Sequence, residues 1–366
     1  MTAANEGTAH TVGAIDGTIS FLEVENISGT STTADTLSAE GSNIWEITAT
    51  NSVTLFDISF TGIEALIGNG NDALDYSAFA APVTINLASA TGNTGFTSIS
   101  RFREVRGSAF DDTITGDAGD NILSGGDGND TIDGGGGDDF IVGEAGDDTL
   151  DGQAGDDLIS GGPGVNTLDG GADTDTLFEF ADLDFTLPNS TLTIGPDVSS
   201  LSNFEDISLT GGESDNILDA STYTLTGVIL DGDEGDDTLI GTANDDLLTG
   251  GLGADSIAGG DGNDTLFEEN DSRFILTDTT LDMGDGTTEV QTVTLTGATA
   301  GTFTLQLDTE TTLPIRYNAS ADEVAQFLRQ LTGIGEGGVR VTQDITNEVQ
   351  TVTLSAATSG TFTLTL

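Results

Sequence analysis

The sequence has no cysteine, no lysine and a single histidine, His10. Without thiols the fold uses no disulfide bonds, and without lysine it has no Schiff-base nucleophile. The only basic side chains apart from His10 are seven arginines, which stand against 63 acidic residues and leave a formal net charge of -56. A charge of this sign excludes nucleic acid as a natural partner and favours cations.

Long apolar runs are also absent. No stretch approaches the length that spans a bilayer, so we expect no membrane insertion. Residues 1–7 have neither the basic nor the apolar part of a cleavable signal, so we expect a fragment of a longer protein or an export signal elsewhere. Catalytic motifs are scarce, and His10 lies in a Thr- and Gly-rich leader. We expect that the chain is not an enzyme, although its composition is compatible with a glycosidase-like pair of carboxylates.

A nine-residue repeat dominates the rest of the chain. Eight copies follow one another at residues 107–178, and four more occupy residues 232–267. Two copies are GGDGNDTID at 125–133 and GEAGDDTLD at 143–151. Position one is always Gly, position six is Asp or Asn, and position eight is Leu or Ile. Twelve copies with these constraints indicate a repeat architecture.

The repeat predicts a turn followed by a very short strand. Glycines at positions one and four are expected to supply the positive φ of a tight turn. Positions seven to nine form the strand, and its middle side chain points inward. Because two copies complete one coil, copy n is expected to lie over copy n+2, and the position-eight residues fill a continuous interior. In the first block these are Ile114, Leu123, Ile132, Ile141, Leu150, Ile159, Leu168 and Leu177.

The same stacking gathers the position-six side chains into two columns. One flank carries Asp130, Asp148 and Asn166, and the other carries Asp139, Asp157 and Asp175. From Gly107 to Ser272 the chain has no Lys, Arg or His, so the neutralising charge must come from solution. Oxygen ligands without Cys or His favour Ca²⁺ over transition metals. A merely solvated array of acidic loops would not keep an apolar residue two places after each of these positions.

This repeat resembles the glycine- and aspartate-rich nonapeptide of the RTX (hemolysin-type calcium-binding) family. The resemblance implies a parallel β-roll in which each ion lies between successive loops of one flank, held by position-six carboxylates and turn carbonyls. Pairing copy n with copy n+2 allows at most six sites in the first block and two in the second, hence up to about eight calcium ions. Asn121 and Asn166 carry a neutral amide, so we expect the sites to be unequal. The expected ligands, with one from a near-copy at 68–74, are Asp72, Asp112, Asn121, Asp130, Asp139, Asp148, Asp157, Asn166, Asp175, Asp237, Asp246, Asp255 and Asp264.

The predicted fold is mostly β: a calcium-binding parallel β-roll or β-solenoid with wider flanking rungs, followed by a small ββαβ repeat module. The module is suggested by a 59-residue period, since residues 289–295 return as 348–354, and by a capped amphipathic helix over 320–333. The predicted segments are wide rungs at 1–106, roll 1 at 107–178, linker rungs at 179–231, roll 2 with exit strands at 232–288, the module at 289–347 and a truncated next module at 348–366.

The truncated module leads to an expectation about assembly. Its two strands have no cover from a helix or third strand of their own module, so we expect them to be completed by a following module or by self-association. This unit resembles the tandem modules of very large repetitive bacterial surface proteins.

Two functional classes fit these features. In the first, the chain is a calcium-stabilised structural or adhesive segment of a large secreted or cell-surface bacterial protein, which folds on calcium outside the cell. In the second, it is the RTX carrier region of an exported enzyme or toxin whose active domain lies elsewhere. The continuing 59-residue repeat favours the first class, because repeat arrays extend reach. An ice- or glycan-binding face of threonine rows is a third option that the sequence does not rank.

Overall fold

The computed structural model describes residues 42–55, 58–253, 255–262 and 264–269, together with short strands elsewhere in the chain. These residues form strands and contain no helix, and among them no helix could span a membrane. The helix predicted over 320–333 lies outside the described residues. The chain divides into two compact units, residues 1–176 with 202–204 (unit 1) and residues 177–201 with 205–366 (unit 2). The boundaries of the six predicted segments stay predictions.

Unit 1 contains sixteen of the described strands. In chain order they are β1 (His10–Thr11), β2 (Asn26–Ser28), β3 (Thr36–Ser38), β4 (Ile44–Ala49), β5 (Ser52–Leu55), β6 (Ile58–Thr61), β7 (Ala65–Asp75), β8 (Thr84–Asn86), β9 (Ser98–Arg106), β10 (Thr113–Thr115), β11 (Ile122–Asp127), β12 (Thr131–Asp133), β13 (Phe140–Ala145), β14 (Thr149–Asp151), β15 (Leu158–Ser160) and β16 (Thr167–Asp169).

Two parallel sheets of unit 1 enclose its interior. Sheet A runs β4-β7-β9-β11-β13-β15, and sheet B runs β8-β10-β12-β14-β16. Within the roll, copy n pairs with copy n+2 in register, which confirms the two-copy coil. Each sheet sends one column of buried side chains inward: Trp45, Leu74, Val105, Leu123, Ile141 and Ile159 from sheet A, and Ile85, Ile114, Ile132, Leu150 and Leu168 from sheet B.

The wider rungs before the roll use a larger core. Strands β7 and β9 pair in two stretches, Leu66 with Ile99 and Leu74 with Val105, separated by an irregularity in register. Strands β4, β5 and β6 form an antiparallel meander, and β4 also pairs in parallel with β7. Trp45 is fully buried, with its ring edge-on to Phe102 at 5.6 Å between centroids. The rungs therefore add aromatic volume that one apolar residue per nine does not supply.

Threonines line the outer face of sheet B. Thr84, Thr113, Thr131, Thr149 and Thr167 are register partners on successive strands, and all are exposed. This is the kind of row that the third functional option requires.

The strands that follow belong to unit 2, apart from the ends of β17 and β20. They are β17 (Thr176–Phe180), β18 (Phe185–Thr186), β19 (Thr191–Ile194), β20 (Asp197–Ser202), β21 (Asp206–Thr210), β22 (Ile217–Asp219), β23 (Ile229–Asp231), β24 (Thr238–Ile240), β25 (Leu247–Thr249), β26 (Ser256–Ala258), β27 (Thr265–Glu269), β28 (Ile275–Thr277), β29 (Thr292–Thr296), β30 (Thr302–Leu307), β31 (Glu310–Thr311), β32 (Ile315–Arg316), β33 (Val339–Asp344), β34 (Val349–Leu354) and β35 (Phe362–Thr365).

Unit 2 repeats the two-sheet arrangement. Sheet C runs β21-β23-β25-β27-β29 and sheet D runs β18-β22-β24-β26-β28, all in parallel. Their buried columns are Leu209, Leu230 and Leu248 from sheet C, and Phe185, Leu218, Leu239 and Ile257 from sheet D. Four copies of the nonapeptide therefore stack on a partner coil formed by residues 206–231.

The C-terminal strands find partners within the chain. Strand β34 pairs antiparallel with β33 over six residues, and β35 pairs antiparallel with both β28 and β30. The expectation that residues 348–366 lack partner strands in their own chain is therefore wrong. The 59-residue repeat hid this because its two copies pair differently: β29 continues sheet C, whereas β34 forms a hairpin with β33.

Positive φ in the turns occurs at positions two and four, rather than one and four. In the copy at 125–133 the residues are Gly126 (φ 107°) and Gly128 (φ 123°), and in the copy at 143–151 position two is Glu144 (φ 73°). Among the described position-one glycines none has a positive φ. The prediction was right for position four and wrong for position one, whose glycine has another cause.

Candidate metal centre

Every predicted position-six ligand is buried. The exposed fraction of these twelve side chains and of Asp72 is at most 4%, although they lie in turns. Burial of an unpaired carboxylate is costly, so each charge requires donors or a cation.

Backbone amides supply one partner for these side chains. The position-six N–H of copy n donates to the position-six Oδ1 of copy n+2, as in Asp112 to Asp130, Asp130 to Asp148 and Asp139 to Asp157. The distances along both flanks and in the second roll are 2.7–3.0 Å. The predicted columns are thus continuous hydrogen-bonded ladders, with Asp130, Asp148 and Asn166 on one flank and Asp139, Asp157 and Asp175 on the other.

The second oxygen of six of these carboxylates has no donor. We call this Oδ2 the inner oxygen, and it is buried without a hydrogen-bond partner in Asp130, Asp139, Asp148, Asp157, Asp237 and Asp255. Burial of an anion with one oxygen unsatisfied carries a free-energy cost of desolvation, and a cation at the inner oxygen would remove that cost.

The inner oxygen also explains the glycine at position one. A Cβ on Gly134 would lie 2.5 Å from Oδ2 of Asp139 and 2.8 Å from the carbonyl oxygen of Gly152. The analogous atom on Gly143 would collide with Oδ2 of Asp148. Position one is therefore Gly because the carboxylate occupies the place of its side chain.

In some copies a backbone N–H of the same turn donates to the position-six side chain at this place. In the copies that begin at Gly107, Gly116 and Gly241, the position-two N–H donates to the position-six side chain at 2.5–2.7 Å. The donors are Ser108, Asp117 and Thr242, none of which has a positive φ. Asp72 resembles these copies, because its Oδ2 accepts the N–H of Asn69 and its Oδ1 that of Asn43.

One copy replaces the carboxylate by an amide. Oδ1 of Asn166 accepts the N–H of Asp148 at 2.9 Å, as an aspartate would. Its Nδ2 lies in the place of the inner oxygen, 2.5 Å from a Cβ built on Gly161, and donates to the carbonyl of Gly162 at 2.9 Å. In this copy the position-two carbonyl therefore lies within hydrogen-bonding distance of the place that the inner oxygen occupies elsewhere.

Burial changes the acidity of these groups. Desolvation raises the pKa of Asp130, Asp139 and Asp237 to about 7, and that of Asp148 to about 6. The backbone hydrogen bond to each carboxylate lowers its pKa and offsets only part of this effect. Desolvation also raises the pKa of Asp157 and Asp246. Without a cation, Asp130, Asp139 and Asp237 are partly protonated near neutral pH.

Comparison with protein families decides the nature of the repeat. The family model described as RTX calcium-binding nonapeptide repeat (4 copies) matches residues 106–141, 142–177 and 231–266. The chain carries RTX calcium-binding nonapeptide repeats. No curated protein matches the chain significantly.

The RTX turns offer a suitable set of ligands for calcium. No three Asp, Glu or His side chains converge within the described part of the chain, so main-chain oxygens must complete any site. Carbonyl oxygens are available, since a Cβ built on Gly134 would approach both Oδ2 of Asp139 and the carbonyl oxygen of Gly152, and one built on Gly143 would approach both Oδ2 of Asp148 and the carbonyl oxygen of Gly161. Buried inner oxygens beside such carbonyls form an all-oxygen, negatively charged environment, which fits Ca²⁺. Calcium would supply the positive charge that the RTX blocks lack.

The RTX turns contain a second ladder that sequence reasoning missed. Oδ1 of the position-five residue in copy n accepts the position-five N–H of copy n+2. Asp111 accepts from Asn129, Asp120 from Asp138, and Asp138 from Asp156. These groups are exposed, and the ladder runs opposite to the position-six ladder. The frequent Asp or Asn at position five was the available signal, since both provide the same acceptor.

The cluster Arg101, Arg103 and Arg106 lies before the first RTX turn. Nε of Arg103 donates to the carbonyl of Asp120 at 2.9 Å, and Arg101 donates to the carbonyl of Asn69. The first of these contacts places the positive charge of Arg103 beside an acidic turn of roll 1.

Proposed function

We propose that this chain is a calcium-stabilised structural and adhesive segment of a large secreted or cell-surface bacterial protein, which folds when it meets calcium outside the cell. RTX repeats form calcium-binding regions typical of secreted bacterial proteins, which supports the first part of the proposal. One observation carries it: six buried aspartates keep an inner oxygen without a donor, in blocks with no basic side chain.

Bound calcium would contribute a large share of the folding free energy. An extracellular-type calcium site with a dissociation constant of about 10⁻⁴ to 10⁻³ M contributes roughly 1.4 kcal/mol at tenfold excess of the ion. Six such sites would contribute on the order of 8 kcal/mol, which is comparable to the stability of a typical domain. Calcium at the concentration outside a cell is therefore enough to decide whether the rolls fold.

The strands that follow roll 2 favour a structural role over a carrier role. Both copies of the 59-residue repeat contribute strands, β29 and β30 from the first and β34 and β35 from the second. Repeated strand modules beside a calcium roll extend an array and require no catalytic groups. A non-enzymatic role agrees with the ladders, because the regular spacing of the position-six carboxylates is accounted for by stacking.

The test is far-UV circular dichroism and thermal melting of the full chain in EDTA, then in excess CaCl₂, with MgCl₂ as a matched divalent control. Mg²⁺ is a suitable control because it prefers a small octahedral shell that retains water. On addition of calcium we expect the β-sheet signal in the spectrum to increase and the thermal midpoint to rise. Magnesium should change both much less. An unchanged spectrum and midpoint in EDTA and calcium would overturn the proposal.

A further inference from the structure

We infer that position two of each repeat decides whether its turn takes a calcium ion. A turn is open when position two has a positive φ and gives the inner oxygen no N–H donor. It is closed when position two has no positive φ and donates its N–H to the position-six side chain. Open turns with Asp at position six bind calcium, and closed turns stay ion-free. The inference rests on the proposed function and specifies which copies perform it.

The two turn types separate along one backbone angle. Each of the six donor-less inner oxygens belongs to a copy whose position-two residue has a positive φ. These residues are Gly126, Gly135, Glu144, Gln153, Asp233 and Gly251, with φ between 69° and 107°. The closed turns have Ser108, Asp117 or Thr242 at position two, outside the positive-φ region. A positive φ at position two therefore accompanies the loss of the donor beside the carboxylate.

The presence or absence of this donor determines whether a cation can be accommodated at the position-six oxygen. In a closed turn the position-six Oδ2 of Asp112 accepts the N–H of Ser108, and that of Asp246 accepts the N–H of Thr242. A cation there would have to displace a donor that already satisfies the oxygen. In an open turn the inner oxygen has no donor, and a backbone carbonyl lies near it: a Cβ built on Gly134 would lie 2.5 Å from Oδ2 of Asp139 and 2.8 Å from the carbonyl oxygen of Gly152. Neighbouring acceptors without a donor are stabilised only by a cation or a proton between them.

Asn166 shows the substitute that the chain itself uses. It lies in an open turn, since Gly162 has φ 78°, yet its amide donates to the Gly162 carbonyl and replaces the ion by a hydrogen bond. The inference therefore assigns no ion to Asn166, and none to the closed turns of Asp112, Asn121 and Asp246. Asp72 is also ion-free on this basis, because Asn69 supplies its donor.

The sequence offers a matched pair for the test. Asn166→Asp restores a carboxylate in an open turn, and Asn121→Asp makes the same substitution in a closed turn. Bound calcium would be counted in the full chain by equilibrium dialysis with metal analysis, using CaCl₂ alone as the ligand. We expect Asn166→Asp to bind one more ion per chain than wild type, and Asn121→Asp to bind the same number.

The reverse substitution tests the same rule and does not depend on new binding. Asp139→Asn would place an amide donor where the inner oxygen lies, as Asn166 does in its own copy, so we expect one ion fewer per chain and a higher thermal midpoint in EDTA. An extra ion in Asn121→Asp, or an unchanged count in both Asn166→Asp and Asp139→Asn, would overturn the inference. Absence of calcium binding by the wild-type chain would instead refute the proposed function, so the two failures are distinct.

Discussion

Each open-turn aspartate uses its two carboxylate oxygens for different tasks. Oδ1 accepts an amide from the neighbouring coil, as in Asp139, which accepts the N–H of Asn121 at 2.7 Å. Oδ2 remains inside the turn against the position-one glycine. The first oxygen connects coils whether or not an ion is present, and the second creates the demand for a cation. Stacking and calcium dependence are thus properties of a single side chain.

The space requirement at position one leads to a prediction with an internal control. Gly134→Ala should lower stability by about 1–3 kcal/mol, because its Cβ would overlap Oδ2 of Asp139 and the Gly152 carbonyl. Gly136→Ala, in the same copy, should cause no loss, because the nearest atom to its Cβ lies 3.6 Å away and its φ is not positive. Denaturant unfolding in excess calcium compares them, and equal losses would contradict the interpretation.

A pH prediction follows from the raised pKa values. The pKa of Asp130, Asp139 and Asp237 rises from the ordinary 3.8 to about 7 in the folded chain, so folding favours the protonated acids. Stability in EDTA should therefore be highest at low pH and fall as pH rises from about 4 to about 7. Thermal melting in EDTA at pH 5 and pH 8 measures this, and a higher midpoint at pH 8 would contradict it.

Calcium should invert this dependence. The ion competes with protons for the same oxygens, so its apparent affinity should rise as pH increases through 6 to 7, with release of protons on binding. Calorimetric titrations in two buffers of different ionisation enthalpy give the number of protons released. Equal binding enthalpies in both buffers at pH 6.5 would contradict the assigned pKa values.

At the residue scale the sequence predicted identities better than conformations. Position six could be assigned because Asp or Asn recurs every nine residues in blocks that have no basic residue. Position one was assigned to positive φ, since sequence shows that glycine is required but not whether space or backbone angle requires it. The positive φ of Glu144 and Gln153 was not predictable, because neither residue favours that region.

The elements of the molecule are coils, and their strands follow directly from the pattern. The three-residue strands, their register and the buried columns were predictable, because an apolar residue every nine positions fills an interior only when alternate copies stack. The antiparallel meander β4-β5-β6 and the internal pairing of β34 and β35 were not. Those depend on long-range pairing between segments that have no repeat to fix their register.

We expect the coils to differ in their need for calcium, and this gives a prediction at the scale of elements. Residues 64–124 include the aromatic side of the core and the closed turns of Asp72, Asp112 and Asn121. Residues 125–160 contain four successive open turns. In EDTA we expect residues 64–124 to keep slow amide exchange and residues 125–160 to exchange quickly.

Hydrogen exchange with mass spectrometry of the full chain, in EDTA and in calcium, measures this difference. Peptides from both ranges should be protected in calcium, which serves as the control for folding. Equal loss of protection across residues 64–160 in EDTA would contradict the expected boundary near residue 124.

At the scale of the whole chain, net charge adds to the forces that oppose folding in the absence of calcium. A formal charge of -56 resists compaction, and nonspecific salt reduces that repulsion by shortening the screening length to about 10 Å at 0.1 M. Screening acts on exposed groups such as the position-five ladder. It does not supply a partner to inner oxygens on side chains that are at most 2% exposed, such as those of Asp139 and Asp148.

The last prediction separates these two effects. In EDTA, raising NaCl from 0.02 to 0.5 M, on the order of the range over which screening becomes complete, should reduce the radius of gyration without restoring the folded β spectrum. Calcium at a few millimolar, on the order of extracellular-type affinities, should restore both the compact radius and the spectrum. Small-angle scattering and circular dichroism on the same samples provide the two measurements. If NaCl alone restores the spectrum, diffuse charge explains the calcium response and bound ions do not; if calcium alone restores it, the buried oxygens are the sites that matter.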